Sequence, residues 1–199
     1  MFANLFLRRN QLSLVLAVLE AAANGEKLAA QIGTSNKYKY WKSIPDEKRC
    51  LDCKANHGKI WEKDKITKPK PPIHFFDRCR ILTLETITAG TATVDGVSGA
   101  DWYLKYNRKL PENYVSVDAA ENEGWKKGKN PSDFVPRKII TGGIYQNRNG
   151  HLPQASGRIW YEADINYKKG KRNSQRIVWS NDGLVFVTYD HYLTFYEVV

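Results

Sequence analysis

A chain of 199 residues with 42% hydrophobic and 12% aromatic content has the material for one large domain or two small ones, and is too apolar to be disordered throughout. No run approaches the ~18 apolar residues of a membrane-spanning helix. The formal net charge of +10 favours polyanionic partners, with nucleic acid first among them.

The charge is uneven. Residues 1–93 hold 16 Lys and Arg against 9 Asp and Glu, and residues 94–199 hold 15 against 12. A reading of the C-terminal half must therefore rest on placed residues rather than bulk charge. At the N-terminus, Leu12, Val15, Leu16, Leu19 and Ala22 recur at i, i+3, i+4 spacing, which predicts a helix over 1–33 with Gly33 as its stop. The same stretch also has the parts of a secretory signal: Arg8-Arg9, an apolar run over 12–19, and Ala21-Ala22-Ala23 near a cleavage site. Glu20, Gln11 and Ser13 weaken that alternative, and the helix is preferred.

Residues 34–90 read as a separate small module. Tyr38-Lys39-Tyr40-Trp41-Lys42 alternates like a strand, and Ser43-Ile44-Pro45-Asp46-Glu47 breaks it. All three cysteines, Cys50, Cys53 and Cys79, fall here. An odd, clustered set does not suit a secreted disulfide framework. Two thiolates three residues apart can share one tetrahedral ion, and His74 with Cys79 can supply the other two corners. That gives a Cys3His zinc site of Cys50, Cys53, His74 and Cys79, with His57 as a substitute ligand. A reduced thiol cluster without metal is the competing reading. A zinc held by four protein ligands has no open position for water, so its role would be structural.

One set of residues in this module carries a resemblance: Trp41-Lys42-Ser43, Asp46-Glu47, Cys50-Leu51-Asp52-Cys53, His57-Gly58-Lys59, Pro71-Pro72-Ile73-His74 and Arg78-Cys79-Arg80. The set resembles the end of the phage head morphogenesis (Mu F-like) minor head proteins. The long helical part that precedes this end in that family is mostly missing. The resemblance implies a packaging or delivery role, with phage capsid or portal proteins as partners.

Residues 86–94 are small and uncharged and read as the join to a second domain over 94–199. In that domain Trp102, Tyr103 and Tyr106 share a helix face in a segment ending before Leu110-Pro111. A second helix is expected over about 116–124, and Asn130-Pro131 opens a short third one. Residues 138–144, 158–164, 175–180, 184–189 and 193–198 read as strands. Asn181-Asp182-Gly183 between two apolar runs is a hairpin signal. Helices followed by a twisted antiparallel sheet make an α+β fold, preceded here by the small cysteine-containing module and its helix.

Alternation over 158–164 puts Arg158, Trp160, Glu162 and Asp164 on one face of a strand. Further on stand Arg172, Arg176 and His191. Each has an ordinary reading as a surface charge or a hydrogen-bonding spacer. Together they are the parts needed to cleave RNA through its own 2′-OH. A carboxylate and an imidazole can exchange the two protons, and arginines can hold the phosphate.

The surrounding text resembles the barnase family of bacterial secreted ribonucleases over nearly the whole half. It includes Asp95-Gly96-Val97, Lys109-Leu110-Pro111-Glu112-Asn113-Tyr114, Gly124-Trp125, Ser156-Gly157-Arg158, Glu162-Ala163-Asp164-Ile165-Asn166-Tyr167, Arg172-Asn173-Ser174 and Asp190-His191-Tyr192 with Thr194-Phe195. The resemblance implies a barnase-like fold. It makes Glu162 the general base, His191 the general acid, and Arg172 and Arg176 the phosphate-binding arginines, with Arg148 as a further candidate. Tyr145, Gln146, Asn147, Arg148 and Asn149 become the guanine-recognition loop, and Tyr192 the tyrosine beside the acid.

Catalysis in that family uses no metal and passes through a 2′,3′-cyclic phosphate. An acidic barstar-like inhibitor is implied as a partner besides RNA. The protein would act outside the producing cell or be delivered into a target cell in a phage-associated way. Two positions depart from the family. Val117 stands where it has a catalytic lysine, a loss for which Lys109, Lys126 or Lys127 could compensate. Asn149 replaces the glutamate that reads guanine, which leaves base preference open. The Val117 departure keeps an alternative alive: a catalytically weakened protein that binds RNA or serves in phage head structure.

Overall fold

The computed structural model describes residues 32–65 and 67–199. The helix expected over 1–33 and the signal-peptide alternative lie outside these residues, save that Ile32 and Gly33 already belong to a strand. That strand, β1 (Ile32–Lys42), pairs antiparallel with β2 (Ile60–Glu62) on one side and β3 (Arg80–Ile87) on the other. Between β1 and β2 lies a short helix, α1 (Leu51–Asn56), capped by Cys50. The β1–β3 register shifts between Thr34 and Lys39. At that irregularity Ser35 Oγ accepts from the backbone N–H groups of Lys37 and Tyr38 at 3.1 and 3.0 Å. The same hydroxyl donates to Glu197 Oε2 at 2.5 Å, so the bend is tied to the far end of the chain.

The C-terminal half adds α2 (Ala100–Asn107), β4 (Tyr114–Val115), α3 (Val117–Asn122), β5 (Ile139–Tyr145), β6 (Trp160–Asp164), β7 (Arg176–Ser180), β8 (Val185–Thr188) and β9 (Tyr196–Val198). Among the described residues the strands form one sheet in the order β2-β1-β3-β9-β8-β7-β6-β5-β4. Pairing is antiparallel except for β3 with β9 and β4 with β5. The fold is thus α+β, with a large sheet and few helices, consistent with a barnase-like C-terminal half. Among the described residues no helix is long and apolar enough to cross a membrane.

Several local signals act as their chemistry requires. Trp102 packs on Tyr106 with ring centroids 5.1 Å apart along α2, and Arg108 ends that helix in the left-handed conformation. Ser116 caps α3 by accepting from Ala119 N at 3.1 Å. Gly183 turns the β7–β8 hairpin with φ 93°. Asn130-Pro131 opens only a 3-10 turn, Pro131–Asp133, in which the Asn130 side chain makes no capping bond to the backbone and its Nδ2 donates to the Asp133 carboxylate at 3.2 Å. The stretch expected as a join begins inside β3, where Thr86 and Ile87 pair with Glu197 and Val198. Just beyond it, the fully buried Asp101 accepts from Gly90 N, Ala92 N and Thr93 Oγ1 at 2.7, 2.9 and 2.7 Å.

The sheet buries both faces. On one, Ala163, Ile165, Ile177, Val187 and Val198 pack with Leu104 of α2. On the other, Trp160, Val178 and Phe186 take Tyr38, Ile60 and Leu84 from β1, β2 and β3, together with Leu152 and Phe195. Burying a side chain of this size stabilises by roughly 1.5–3 kcal/mol, so the N-terminal strands and the C-terminal sheet share a substantial core. Glu162, Asp164 and Arg176 project to the same face as Trp160 and Val178, by the alternation and register of β6 and β7.

Candidate active site

The pairing of β6 with β7 creates the site. Antiparallel partners project to the same face, and Asp164 stands opposite Arg176 while Glu162 stands opposite Val178. Asp164 is buried at 1% exposure. Arg172 donates Nε and Nη2 to its two oxygens at 2.6 and 2.7 Å, and Arg176 forms an ion pair with it, Nε lying 2.9 Å from Oδ1. One carboxylate therefore holds both guanidiniums in fixed positions. It also keeps the Arg172 guanidinium above its ordinary range, chiefly through that hydrogen bond. Arg176 is anchored further by donating Nη1 to the carbonyls of Asn173 and Gln175, each at 2.7 Å.

Glu162 is half-buried beside this pair. The Tyr192 hydroxyl donates to its Oε2 at 2.7 Å. Burial, and then the bond to Glu162, push the Tyr192 hydroxyl well above the usual phenol range, so Tyr192 is a donor at neutral pH. Tyr145 stacks on Tyr192 with centroids 5.2 Å apart, and burial with the Glu162 charge pushes its hydroxyl up to about 12. The exposed His191 ring lies 4.9 Å from the Tyr192 ring. Glu162, Tyr192 and His191 thus form one run of contacts, with the clamped arginines alongside.

Strand β9 starts only at Tyr196, not at 193 as the sequence suggests, because residues 190–194 form a side-chain-organised turn. Asp190 Oδ1 accepts from Thr188 Oγ1, Leu193 N and Thr194 N at 2.9, 3.1 and 3.0 Å, and Oδ2 accepts from the Thr194 hydroxyl. His191 and Tyr192 both take positive φ, 59° and 69°. His191 N donates to Ser174 O at 3.1 Å, and Tyr192 N donates to Thr188 Oγ1 at 3.0 Å.

The loop after β5 places Gln146, Arg148 and Asn149 at the surface. Asn147 differs. It is buried at φ 45°, donating Nδ2 to Leu152 O at 2.9 Å and accepting from Leu152 N at 3.1 Å. Its side chain closes the loop rather than facing outward. Val117 is half-buried and packs with Val115 and Phe134 against Ala120, Trp125, Val135 and Ile140, while Lys109, Lys126 and Lys127 are exposed.

Three contributors went unassigned at the level of sequence. Asp164 had a signal, its place two residues from Glu162 on the same strand face. Asp190 had a weaker one, an Asp followed at short range by Thr194. Gly142 had none: a Cβ there would lie 2.5 Å from Glu162 Oε1, so glycine makes room for that carboxylate.

The cysteines gather around α1 and the approach to β3. Cys50, Cys53 and His74 bring their ligand atoms within 4.8 Å of one another, as do Cys53, Asp77 and Cys79. His74 Nε2 lies 3.1 Å from Cys50 Sγ and 3.3 Å from Cys53 Sγ, near the ~3.5 Å separation that a tetrahedral zinc imposes on N and S ligands. Its Nδ1 faces Phe75 O at 2.9 Å, which directs the Nε2 lone pair toward the thiols. The Cys53 N–H holds the Cys50 thiol below its usual range, while burial pushes Cys53 up. Burial opposes ionisation of Asp77, but hydrogen bonds from Cys79, Ile73 and Cys53 outweigh it and hold the carboxyl at about 2. Three of the four predicted ligands, Cys50, Cys53 and His74, thus form one group, while Cys79 joins Cys53 and the unforeseen donor Asp77 in a second. His57 lies apart from both groups, its Nδ1 accepting from Ser43 N at 3.1 Å.

A mixed sheet that carries a carboxylate, a clamped pair of arginines and an exposed imidazole at one end of its face is the scaffold of an RNA-cleaving enzyme. Residues 99–199 match the family model described as ribonuclease, and the chain belongs to this ribonuclease family. It is 48% identical over 107 residues to a ribonuclease of Heyndrickxia coagulans, an alignment covering 53% of this chain and 95% of that one. Ribonucleases of Bacillus intermedius and Bacillus pumilus are likewise 48% identical over 107 residues, covering 53% of this chain and 64% of theirs.

Proposed function

We propose that the C-terminal half is an endoribonuclease that cleaves single-stranded RNA without a metal, through a 2′,3′-cyclic phosphate. Glu162 takes the proton of the 2′-OH, and His191 returns one to the departing 5′-oxygen. Arg172 and Arg176 stabilise the phosphorane charge, and Tyr192 orients Glu162. Tyr145, Gln146, Arg148 and Asn149 meet the base and its phosphate. The observation that carries this reading is the clamp: Asp164 fixes both arginines beside Glu162. The test is incubation with mixed single-stranded RNA, with cyclic-phosphate ends scored. Metal-independent product that vanishes in Glu162→Ala supports the reading, and its persistence in that variant overturns it.

The apolar packing of Val117 favours a second reading, a weakened nuclease that mainly binds RNA or serves in a phage head. Under that reading the wild type binds RNA with no measurable turnover, and Val117→Lys creates turnover.

For the N-terminal module we infer a structural zinc held by Cys50, Cys53, His74 and Cys79, with Asp77 accepting from the Cys79 N–H at 2.6 Å. Support comes from two overlapping groups of donors that share Cys53, one with Cys50 and His74 and one with Asp77 and Cys79. One zinc per chain by metal analysis, absent from Cys53→Ser, is the expected result. We further propose that the module delivers the nuclease as a toxin in a phage-associated setting. The producing cell would be protected by an acidic inhibitor resembling barstar. The resemblance to minor head proteins and the basic charge of the chain support this. Co-purification with capsid or portal proteins tests the first part, and inhibition by barstar the second.

A further inference from the structure

The turn that carries His191 and Tyr192 is held on two sides. Asp190 and Thr188 hold it from within. From outside it meets residues that the ribonuclease mechanism does not use. His151, 7% exposed, has its Nδ1 at 3.0 Å from the Tyr192 carbonyl, so the N–H of that nitrogen donates and the neutral imidazole is fixed in one tautomer. The carbonyl of His151 in turn accepts from Ile60 N of β2 at 2.8 Å. The His151 ring also lies edge-on to Phe195 at 6.3 Å.

Beside it, Gly58 follows α1 with φ 82°. A Cβ on Gly58 would lie 2.5 Å from the Leu193 carbonyl oxygen and 3.7 Å from His151 Cε1. The backbone of the N-terminal module is thus in close contact with the catalytic turn. Two successive non-glycine residues with positive φ persist only where the surroundings over-determine them. Tyr192 is one of the two, and its carbonyl is where His151 attaches.

We propose that His151 is a positioning residue for RNA cleavage. Locked to β2 through its backbone and flanked by Gly58, it donates to the Tyr192 carbonyl and keeps the 191–193 turn in the one conformation that sets Tyr192 on Glu162 and His191 beside it. This assigns the N-terminal strands a share in catalysis: they form the back wall of the catalytic turn. The inference rests on the ribonuclease reading for its rate effect, but not for its structural one.

The test uses the full chain with His151→Ala and His151→Asn. An asparagine amide reaches close to where Nδ1 stands and donates the same hydrogen bond. Loss of one such bond is expected to lower kcat about tenfold in His151→Ala, with KM changed by less than about twofold. Amide exchange at residues 191–194 should quicken by about the same factor while exchange in β7 and β8 stays put. His151→Asn should restore both. Unchanged exchange at 191–194 in His151→Ala, or equal losses in the two variants, overturns the proposal. A wild type that cleaves no RNA would overturn the ribonuclease reading instead, and the exchange measurement would still decide whether His151 holds the turn.

Discussion

The Tyr192 hydroxyl donates to Glu162 Oε2 at 2.7 Å, a contact that joins a strand to a turn thirty residues further along the chain. If Glu162 is the base, it is held by a neutral donor that cannot take its proton. Glu162→Ala should lower cleavage by a hundredfold or more, the usual contribution of a general base, on the order of 10²–10⁴. Tyr192→Phe should cost about tenfold, the value of one hydrogen bond. Steady-state rates on one defined oligoribonucleotide measure both. Equal losses in the two variants would mean that Glu162 acts only through Tyr192.

Asp164 predicts a stability effect. With Asp164 and Arg176 both under a tenth exposed, removing the carboxylate leaves a buried guanidinium without its counter-charge. Asp164→Asn is expected to lower unfolding free energy by about 3 kcal/mol, read from urea midpoints at pH 7.

Space beside the base is the subject of the third prediction. Gly142→Ala would push a methyl group into Glu162, since the added Cβ falls 2.7 Å from Cγ as well as 2.5 Å from Oε1. A shift of the carboxylate by about 1 Å can cost about 10²-fold in rate, with the melting temperature little changed. Rate and melting curve measured on one sample separate the two.

At position 117 the expected change is a gain. A lysine at the start of α3 supplies a charge to the phosphate, and one transition-state charge is worth roughly a hundredfold in kcat. Val117→Lys should be faster than wild type and slightly less stable, because Val117 contributes to the cluster around Trp125.

His57 gives a pH dependence. Burial, then the charges of Lys42 and Arg49, push its imidazole down to about 4 from an ordinary 6.5. Its Nδ1 accepts from Ser43 N and must stay unprotonated to do so. Between pH 6.5 and 4 the unfolded chain binds a proton that the folded chain refuses. Stability should therefore fall as pH drops through that window and level off below it. Denaturant midpoints at pH 7, 5.5 and 4 should show a smaller decline in His57→Asn than in wild type.

The legible parts of the fold were those set by neighbours in the chain. The apolar runs that became β7 and β8, the Asn181-Asp182-Gly183 turn between them and the helix start near residue 116 all depend on residues a few positions apart. The illegible parts depend on distant partners. Residues 32–37 show no apolar alternation, and they become strand through pairing with β3 and the Ser35 bond to Glu197. The parallel pairing of β3 with β9 joins segments more than a hundred residues apart, so a small uncharged stretch resembled a boundary. At the site, residue types could be singled out, but not that Asp164 would hold two arginines. That follows from the β6–β7 register, which sequence spacing does not set.

That same parallel pairing bears on any attempt to isolate the nuclease as a fragment. A cut at residue 93 strips β3 from β9, baring a line of backbone donors and acceptors. It also uncovers Trp160, Val178 and Phe186 where Tyr38, Ile60 and Leu84 had lain. A trimmed protein would thus offer water a sticky ribbon and a greasy patch side by side, a combination that invites self-association into insoluble material.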